Sequence, residues 1–174
     1  MSKQKGNAKT PIRIGLVPSS RLLALVVDGI QAMEGEHINS HLDPKIRTEF
    51  SDSLDIDAAF LNGHEQEHRW DYLLGHKSSG EIVALEPHSA KTGEITTIIA
   101  KREAALLHLH DHLKEGVHVI EWFWVASGGV DFADTEKAKL RLNQNGITFV
   151  GRKVLEKHLL KVSPAKSHSK RNKR

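Results

Sequence analysis

The sequence predicts an α/β fold with a small mixed central sheet flanked by helices, and three segments carry this prediction. Two apolar runs, at residues 70–74 and 81–85, are separated by a turn composition and predict a β-hairpin. Apolar side chains recur at helical spacing between residues 92 and 116, which predicts a long amphipathic helix. Residues 117–126 are dense in β-branched and aromatic side chains and predict a buried strand.

The segment before the hairpin is harder to assign. Ser19-Ser20 can cap a helix whose apolar residues continue at helical spacing to an end near Gly35. Asp43-Pro44 has the capping residue and the first-turn proline that are typical of a second helix start. Residues 50–61 fit both a helical face and the alternation of a half-buried strand, so the sequence leaves that choice open.

The segment after the buried strand completes the predicted order. Ser127-Gly128-Gly129 is expected to end the strand. Residues 134–144 then predict a shorter helix, and residues 147–150 predict a last strand.

Length and composition indicate one domain and exclude some kinds of site. The 174 residues, 39% of them hydrophobic, suffice for one core but not for two ordinary domains. We therefore expect a flexible polar N-terminus at residues 1–11, a single α/β domain at 12–160 and a disordered basic tail at 161–174. The sequence has no cysteine, which excludes disulfides and thiolate-bound metals. No stretch resembles a signal peptide or membrane span, so we expect a cytoplasmic protein with no membrane partner.

Three polar residues of the hairpin form a candidate metal site. Asp71 lies on the first predicted strand, and Glu86 and His88 are two residues apart on the second, so they share a face of it. Asp71 and Glu86 could meet across the hairpin if the register allows. Two such carboxylates suit a magnesium ion, which also takes waters and a phosphate. The alternative is that all three are solvated strand and loop residues.

The order of these features resembles the PD-(D/E)xK nuclease superfamily. An aspartate, a turn, an acidic-x-basic triplet, a helix and a buried strand follow one another over residues 69–126. The resemblance implies a restriction-endonuclease-like core that hydrolyses phosphodiester bonds of DNA or RNA, with Asp71 and Glu86 as ligands of Mg²⁺ or Mn²⁺. It also implies nucleic acid as the partner.

The triplet departs from the superfamily's pattern at its third position. His88 stands where the resemblance would place a lysine that helps to activate water. Members of the superfamily are known to move this lysine to a neighbouring element, and Lys101 in the second turn of the long helix is the candidate here. Lys91, in the connecting loop, is a less suitable substitute. The implied catalytic residues are Asp71, Glu86, His88 and Lys101.

Two other functions stay open at this point. The first is a nucleic-acid- or protein-binding module on the same fold that has lost catalysis. The second is a zincin-type metallopeptidase, because residues 64–68 match the HExxH motif. On a helix, His64 and His68 would bind zinc and Glu65 would be the general base. The sequence does not distinguish DNA from RNA, and it leaves open whether the chain forms a homodimer.

Three further features have structural alternatives. His108 and His112 are four residues apart on the predicted helix and could share a metal, but a polar helix face explains them equally. The aromatic residues 122–124 are expected in the core rather than as a platform for bases. The basic tail could bind polyanions through counterion release or simply keep the chain soluble.

Overall fold

A six-stranded mixed sheet forms the centre of the computed structural model, which describes residues 8–131 and 136–162. The strands lie in chain order: the first four are antiparallel neighbours, and the fourth, fifth and sixth are parallel. They are β1 (Val27–Asp28), β2 (Phe50–Asp55), β3 (Tyr72–His76), β4 (Ile82–Ala90), β5 (Val119–Val130) and β6 (Ile147–Phe149). The predicted α/β class with a mixed sheet is confirmed.

Helices cover both faces of this sheet. They are α1 (Pro11–Gly15), α2 (Gly35–His41), α3 (Ile56–Phe60), α4 (Glu94–Leu109), α5 (Glu136–Gln144) and α6 (Glu156–Leu159). One apolar cluster joins α1, α3, α4 and α5 to one face of the sheet, which carries Leu73, Ala84 and Trp122. A second cluster joins α2 and α6 to the opposite face, which carries Leu85 and Phe123. Alternate residues of each strand therefore enter different layers.

The three segments on which the fold prediction rests form as expected, but the helix and the buried strand end at other residues than predicted. The hairpin pairs β3 with β4 in a register that sets Tyr72 opposite Leu85. The long helix forms as α4 but ends at Leu109, seven residues before the predicted stop. The buried strand forms as β5, and its aromatic residues 122–124 lie in the core as predicted. Its predicted end at Ser127-Gly128-Gly129 is wrong, because pairing of Val130 with Ala90 extends the strand.

The helix predicted from Ser20 to Gly35 does not form. The Ser20 hydroxyl does accept a hydrogen bond from the Leu22 N–H, but the capped element is a five-residue 3₁₀ helix, Arg21–Leu25. The chain then extends as β1, which pairs with Ser53 and Asp52 of β2. Pairing with a distant strand thus overrides the local helical spacing of this segment.

The ambiguous segment contains both of the predicted structures in succession. Asp43 caps a 3₁₀ helix, Pro44–Glu49, by accepting a hydrogen bond from the Lys45 N–H. Strand β2 follows at once, and Asp55 then caps α3 by accepting from the Ala58 N–H. The strand alternative is therefore correct up to Asp55, and a helix takes over from Ile56.

The remaining elements and the ends of the described fold lie near the expected positions. Helix α5 and strand β6 occupy the predicted segments within the described residues. A last 3₁₀ turn, Leu160–Val162, buries Val162 completely, so the core extends two residues into the predicted tail. Residues 163–174 of that tail and residues 1–7 of the predicted N-terminal segment lie outside the described residues. Among the residues that are described, no helix is long and apolar enough to cross a membrane.

One close approach in the sheet gives a stability test. A Cβ atom at Gly75 of β3 would lie 1.8 Å from Oδ1 of Asp52, which is fully buried. The other carboxylate oxygen, Oδ2, accepts the N–H groups of Ile12 and Arg13 at 3.0 and 3.1 Å and so anchors α1. We expect Gly75→Ala to lower the free energy of unfolding by at least about 1–3 kcal/mol, the usual cost of overpacking.

Urea unfolding would measure this change. Gly93→Ala is the matched control, because a Cβ atom there meets nothing within 4 Å and its φ of −67° suits alanine. Equal stability of the two variants would contradict the assignment of Asp52 as the fixed neighbour of Gly75.

Candidate functional site

The hairpin register places Asp71 and Glu86 side by side. Tyr72 pairs with Leu85, so the next position outward sets Asp71 opposite Glu86. The Asp71 N–H donates to Oε2 of Glu86 at 2.9 Å. Glu86 and His88 alternate in phase with Ala84 and Ala90 of β4, which belong to the apolar cluster that contains α4. The hairpin register thus makes Asp71 and Glu86 neighbours, which the sequence left open.

Lys101 of α4 contacts the same carboxylate. It lies three residues after Ile98 and four before Ala105, both buried against the sheet, so it projects from the inner side of the helix. Its Nζ donates a hydrogen bond to Oε1 of Glu86. Glu86 is fully buried, and each of its carboxylate oxygens thus accepts a hydrogen bond.

His88 lies beside Glu86 but is held by another carboxylate. Its Nε2 is 2.8 Å from Oε2 of Glu94, in the first turn of α4, and its Nδ1 is 3.6 Å from Oε1 of Glu86. Both candidates for the lysine position therefore surround Glu86, and Lys101 makes the direct contact. Lys91 is exposed in the loop before α4.

Burial makes this group of charges unusual. Loss of hydration raises the pKa of Glu86 to about 8, and the neighbouring charge of Asp71 adds to the increase while Lys101 opposes it. Loss of hydration also raises the pKa of Asp71 to about 6, again opposed by Lys101. The ammonium group of Lys101 thus only partly offsets the negative charge of Asp71 and Glu86. A further cation close to them would favour their charged forms.

The site lies at an open end of the sheet. Strand β3 begins at Tyr72, whereas β4 continues past Glu86 to Ala90 and from Pro87 onward pairs with β5 among the described strands. The register of that pairing shifts between His88 and Ala90, which is the irregularity expected close to Pro87. Asp71 and Glu86 therefore lie where β3 begins and β4 continues without it.

The HExxH hypothesis fails on local structure. Residues 61–71 form turns rather than a helix, so His64 and His68 do not share a helical face. Gly63, whose φ is +85°, adopts a left-handed conformation directly before His64, which prevents helical continuation from α3. Glu65 accepts a hydrogen bond from the Gly63 N–H. The motif therefore does not assemble as in zincins.

The two helix histidines also have separate partners. Nε2 of His108 lies 2.8 Å from Oε2 of Glu67, and Nδ1 of His112 lies 2.7 Å from the Ser20 hydroxyl. They do not share a ligand site, and His112 lies beyond the end of α4, so the expectation that both lie on one helix is wrong.

Two acidic residues of these contacts were missed by sequence reasoning. Glu94 is absent from the predicted site residues, although its spacing of six residues from His88 indicates a contact across the loop. Glu67 is also absent from the predicted site residues. Its contact with His108 spans 41 positions, and no local pattern signals it.

Comparison with known proteins assigns no family to the chain. No family model matches it, and neither the curated proteins nor the solved structures include a match. Function is therefore argued from the geometry of the site.

The raised pKa of Glu86 gives a pH-dependent test. Unfolding restores the ordinary carboxyl pKa of about 4.3, so between about pH 4.3 and 8 the folded state holds a proton that the unfolded state releases. This contribution to stability is lost as the pH rises through that window. Glu86→Gln removes it, so we expect the variant to gain stability relative to the wild type between pH 5 and 8, by up to about 1.4 kcal/mol per pH unit.

Urea unfolding in chelator at pH 5 and pH 8 would measure this relative gain. Glu115→Gln is the control, because Glu115 is exposed in the loop after α4. If the free energy of unfolding of Glu86→Gln relative to the wild type is the same at both pH values, Glu86 ionises with its ordinary pKa in the folded state.

Proposed function

We propose that the chain is a metal-dependent nuclease of the PD-(D/E)xK type, which hydrolyses phosphodiester bonds of DNA or RNA with Mg²⁺ or Mn²⁺. The observation that carries the proposal is the convergence of Asp71, Glu86 and Lys101 at one end of the sheet. An aspartate, a second carboxylate and a cation in that arrangement are the residues that the resemblance requires.

The donor set fits a hard divalent cation. Asp71 and Glu86 would hold the ion, since magnesium binds through one or two carboxylates and keeps sites for water and phosphate. Their pKa values are raised by loss of hydration and only partly lowered by Lys101, so a bound cation would favour the charged forms of both carboxyl groups. When bound, the metal would stabilise charge on the phosphate and lower the pKa of a water molecule. Proton release on binding would make metal affinity increase with pH.

Lys101 is the proposed substitute for the triplet lysine. Its ammonium group reaches Glu86 from the facing helix rather than from β4. A persistent cation beside the ligand carboxylate can orient an attacking water and offset charge on the phosphate. His88 can accept or return a proton close to neutral pH, and Glu94 fixes the orientation of its ring.

The strand order also supports a restriction-endonuclease-like core. An antiparallel hairpin carries the two carboxylates, a helix crosses over, and the next strand pairs in parallel with the second hairpin strand. Helices lie on both faces of the resulting sheet. This is the arrangement that the resemblance implies for the hairpin, helix and buried strand.

A binding module without catalysis is the second candidate. The direct contact between Lys101 and Glu86 favours it, because an internal ammonium group neutralises part of the charge that would otherwise attract a metal. Binding of nucleic acid without metal-dependent cleavage is the result expected for this candidate.

Cleavage assays on plasmid, single-stranded DNA and RNA with added magnesium test the proposal. We expect Asp71→Asn and Glu86→Gln to fold and to lose metal-dependent cleavage, because an amide keeps the shape but removes the charge. We expect Lys101→Ala to lower turnover by about 10²- to 10⁴-fold, the range for a positioned proton-transfer group. His88→Ala is expected to have a much smaller effect.

Lys114→Ala is the matched lysine control, since Lys114 is exposed beyond the end of α4. Cleavage that persists in both carboxylate variants would refute the site, and a larger loss in His88→Ala than in Lys101→Ala would transfer the lysine's role to His88.

The basic residues after the last described turn give a separate test of nucleic-acid binding. Residues 163–174 contain five lysines and arginines and no acidic residue. Because Val162 is buried, a deletion that preserves the core starts at residue 163. If these cations contact phosphates, the deletion should weaken DNA affinity and reduce the salt slope by about 0.9 per lost contact. Filter binding at several salt concentrations measures both, and an unchanged slope would assign the segment to solubility.

A further inference from the structure

A cluster of two histidines and a glutamate lies outside the carboxylate site. His64 and Glu67 belong to the turns between α3 and β3, and His108 lies in the last turn of α4. Oε2 of Glu67 is 2.9 Å from Nδ1 of His64 and 2.8 Å from Nε2 of His108. The three atoms all lie within 4.8 Å of one another. We propose that His64, Glu67 and His108 bind a zinc ion that links this turn segment to α4.

The donor types select zinc rather than magnesium. Two imidazole nitrogens and one carboxylate oxygen suit zinc, whereas magnesium prefers oxygen ligands. Zinc ligands at about 2.0–2.2 Å in a tetrahedron lie about 3.4 Å apart. The two separations from Glu67, 2.9 and 2.8 Å, are somewhat shorter than that value, and the two histidine nitrogens lie within 4.8 Å of each other, so small rotations of the side chains would accommodate the ion. A fourth position would remain for water, and the Glu67 side chain, 51% exposed, gives it access to solvent.

One ligand atom has no aligned partner among the described residues. Nδ1 of His64 is enclosed from solvent and forms no hydrogen bond of acceptable geometry, although it lies 2.9 Å from the Glu67 carboxylate. A buried polar atom without a hydrogen bond costs stability.

The backbone and rings of the cluster are fixed by neighbouring residues. Nη1 of Arg69 donates to the carbonyl oxygens of His64 and Glu67 at 2.6 and 3.2 Å, and its Nε donates to Asp57. The ring of His108 stacks on Phe60 at 5.0 Å with an interplanar angle of 20°. Such support is the preorganisation that metal sites require of the residues around their ligands.

The site differs from the HExxH motif in its ligands and is independent of the proposed nuclease activity. His68 and Glu65 take no part, and the third ligand comes from a distant helix. The ion would hold together the segment that leads to Asp71 and the helix that carries Lys101. Zinc would therefore contribute to the stability of the fold whether or not the chain cleaves nucleic acid.

Calorimetric titration of the metal-free full chain with zinc chloride tests the proposal. The titration is done in Asp71→Asn, so that the other carboxylate pair does not contribute, and in excess magnesium. We expect one zinc per chain. On that background, His108→Ala and Glu67→Gln should each weaken binding by at least about 100-fold, more than the loss of an outer contact.

His68→Ala and His110→Ala are the matched controls and should bind zinc as the background does; His110 directly follows α4, and its side chain is 83% exposed. Circular dichroism checks that each variant is folded. Substitution with cobalt gives a second readout, because a tetrahedral cobalt site absorbs visible light and His108→Ala should lose that absorption. Normal zinc binding in His108→Ala, loss of binding in His68→Ala, or no zinc binding in the background would overturn the proposal.

Discussion

Burial of the Glu86 carboxylate is the constraint on which the candidate site depends. A carboxylate with no exposed surface is stable only if both oxygens have donors, and here the donors come from two different elements. The Asp71 N–H fixes the start of β3, and the Lys101 ammonium fixes the rotation of α4. The same contacts that satisfy the buried charge thus position the other two residues of the site. An apolar residue in place of Glu86 would accept neither hydrogen bond and would therefore hold neither Asp71 nor Lys101 in its position.

Strand alternation determines which layer contains the site. Leu85 and Phe123 point to the layer of α2 and α6, so their neighbours Glu86 and Trp124 point to the layer of α4. A shift of one residue in the β3–β4 register would separate Asp71 from Glu86. The hairpin turn and the apolar pattern of both strands therefore set the chemistry as well as the packing. Strand β4 pairs antiparallel with β3 on one side and parallel with β5 on the other. Its C-terminal residues, after Glu86, extend past the start of β3.

Sequence reasoning succeeded where short-range patterns decide the structure. The hairpin, α4 and β5 were predictable because turn residues and apolar periodicity lie within each segment, and the shared face of Glu86 and His88 followed from the hairpin alone. The helix expected after Ser20 was wrong because β1 forms by pairing with β2, some 25 residues away. The choice between His88 and Lys101 also required the helix to be placed against the sheet. Local spacing contains no information on such packing.

The two clusters of titratable residues differ in chemistry but lie on the same two segments, the turn segment before β3 and helix α4. Glu86 is buried and Asp71 half-buried, and Lys101 partly offsets the charge of their oxygen donors. The histidine cluster is partly exposed and carries two nitrogen donors and one oxygen donor. Glu67 precedes Asp71 by four residues, and His108 follows Lys101 by seven, which is about two turns of α4. The turn segment carries His64, Glu67 and Asp71, and α4 carries His108 and Lys101, so each of the two contributes to both clusters. A link between them at His108 restricts the same relative motion that would separate Lys101 from Glu86, so the histidine cluster can support the carboxylate site without contacting it.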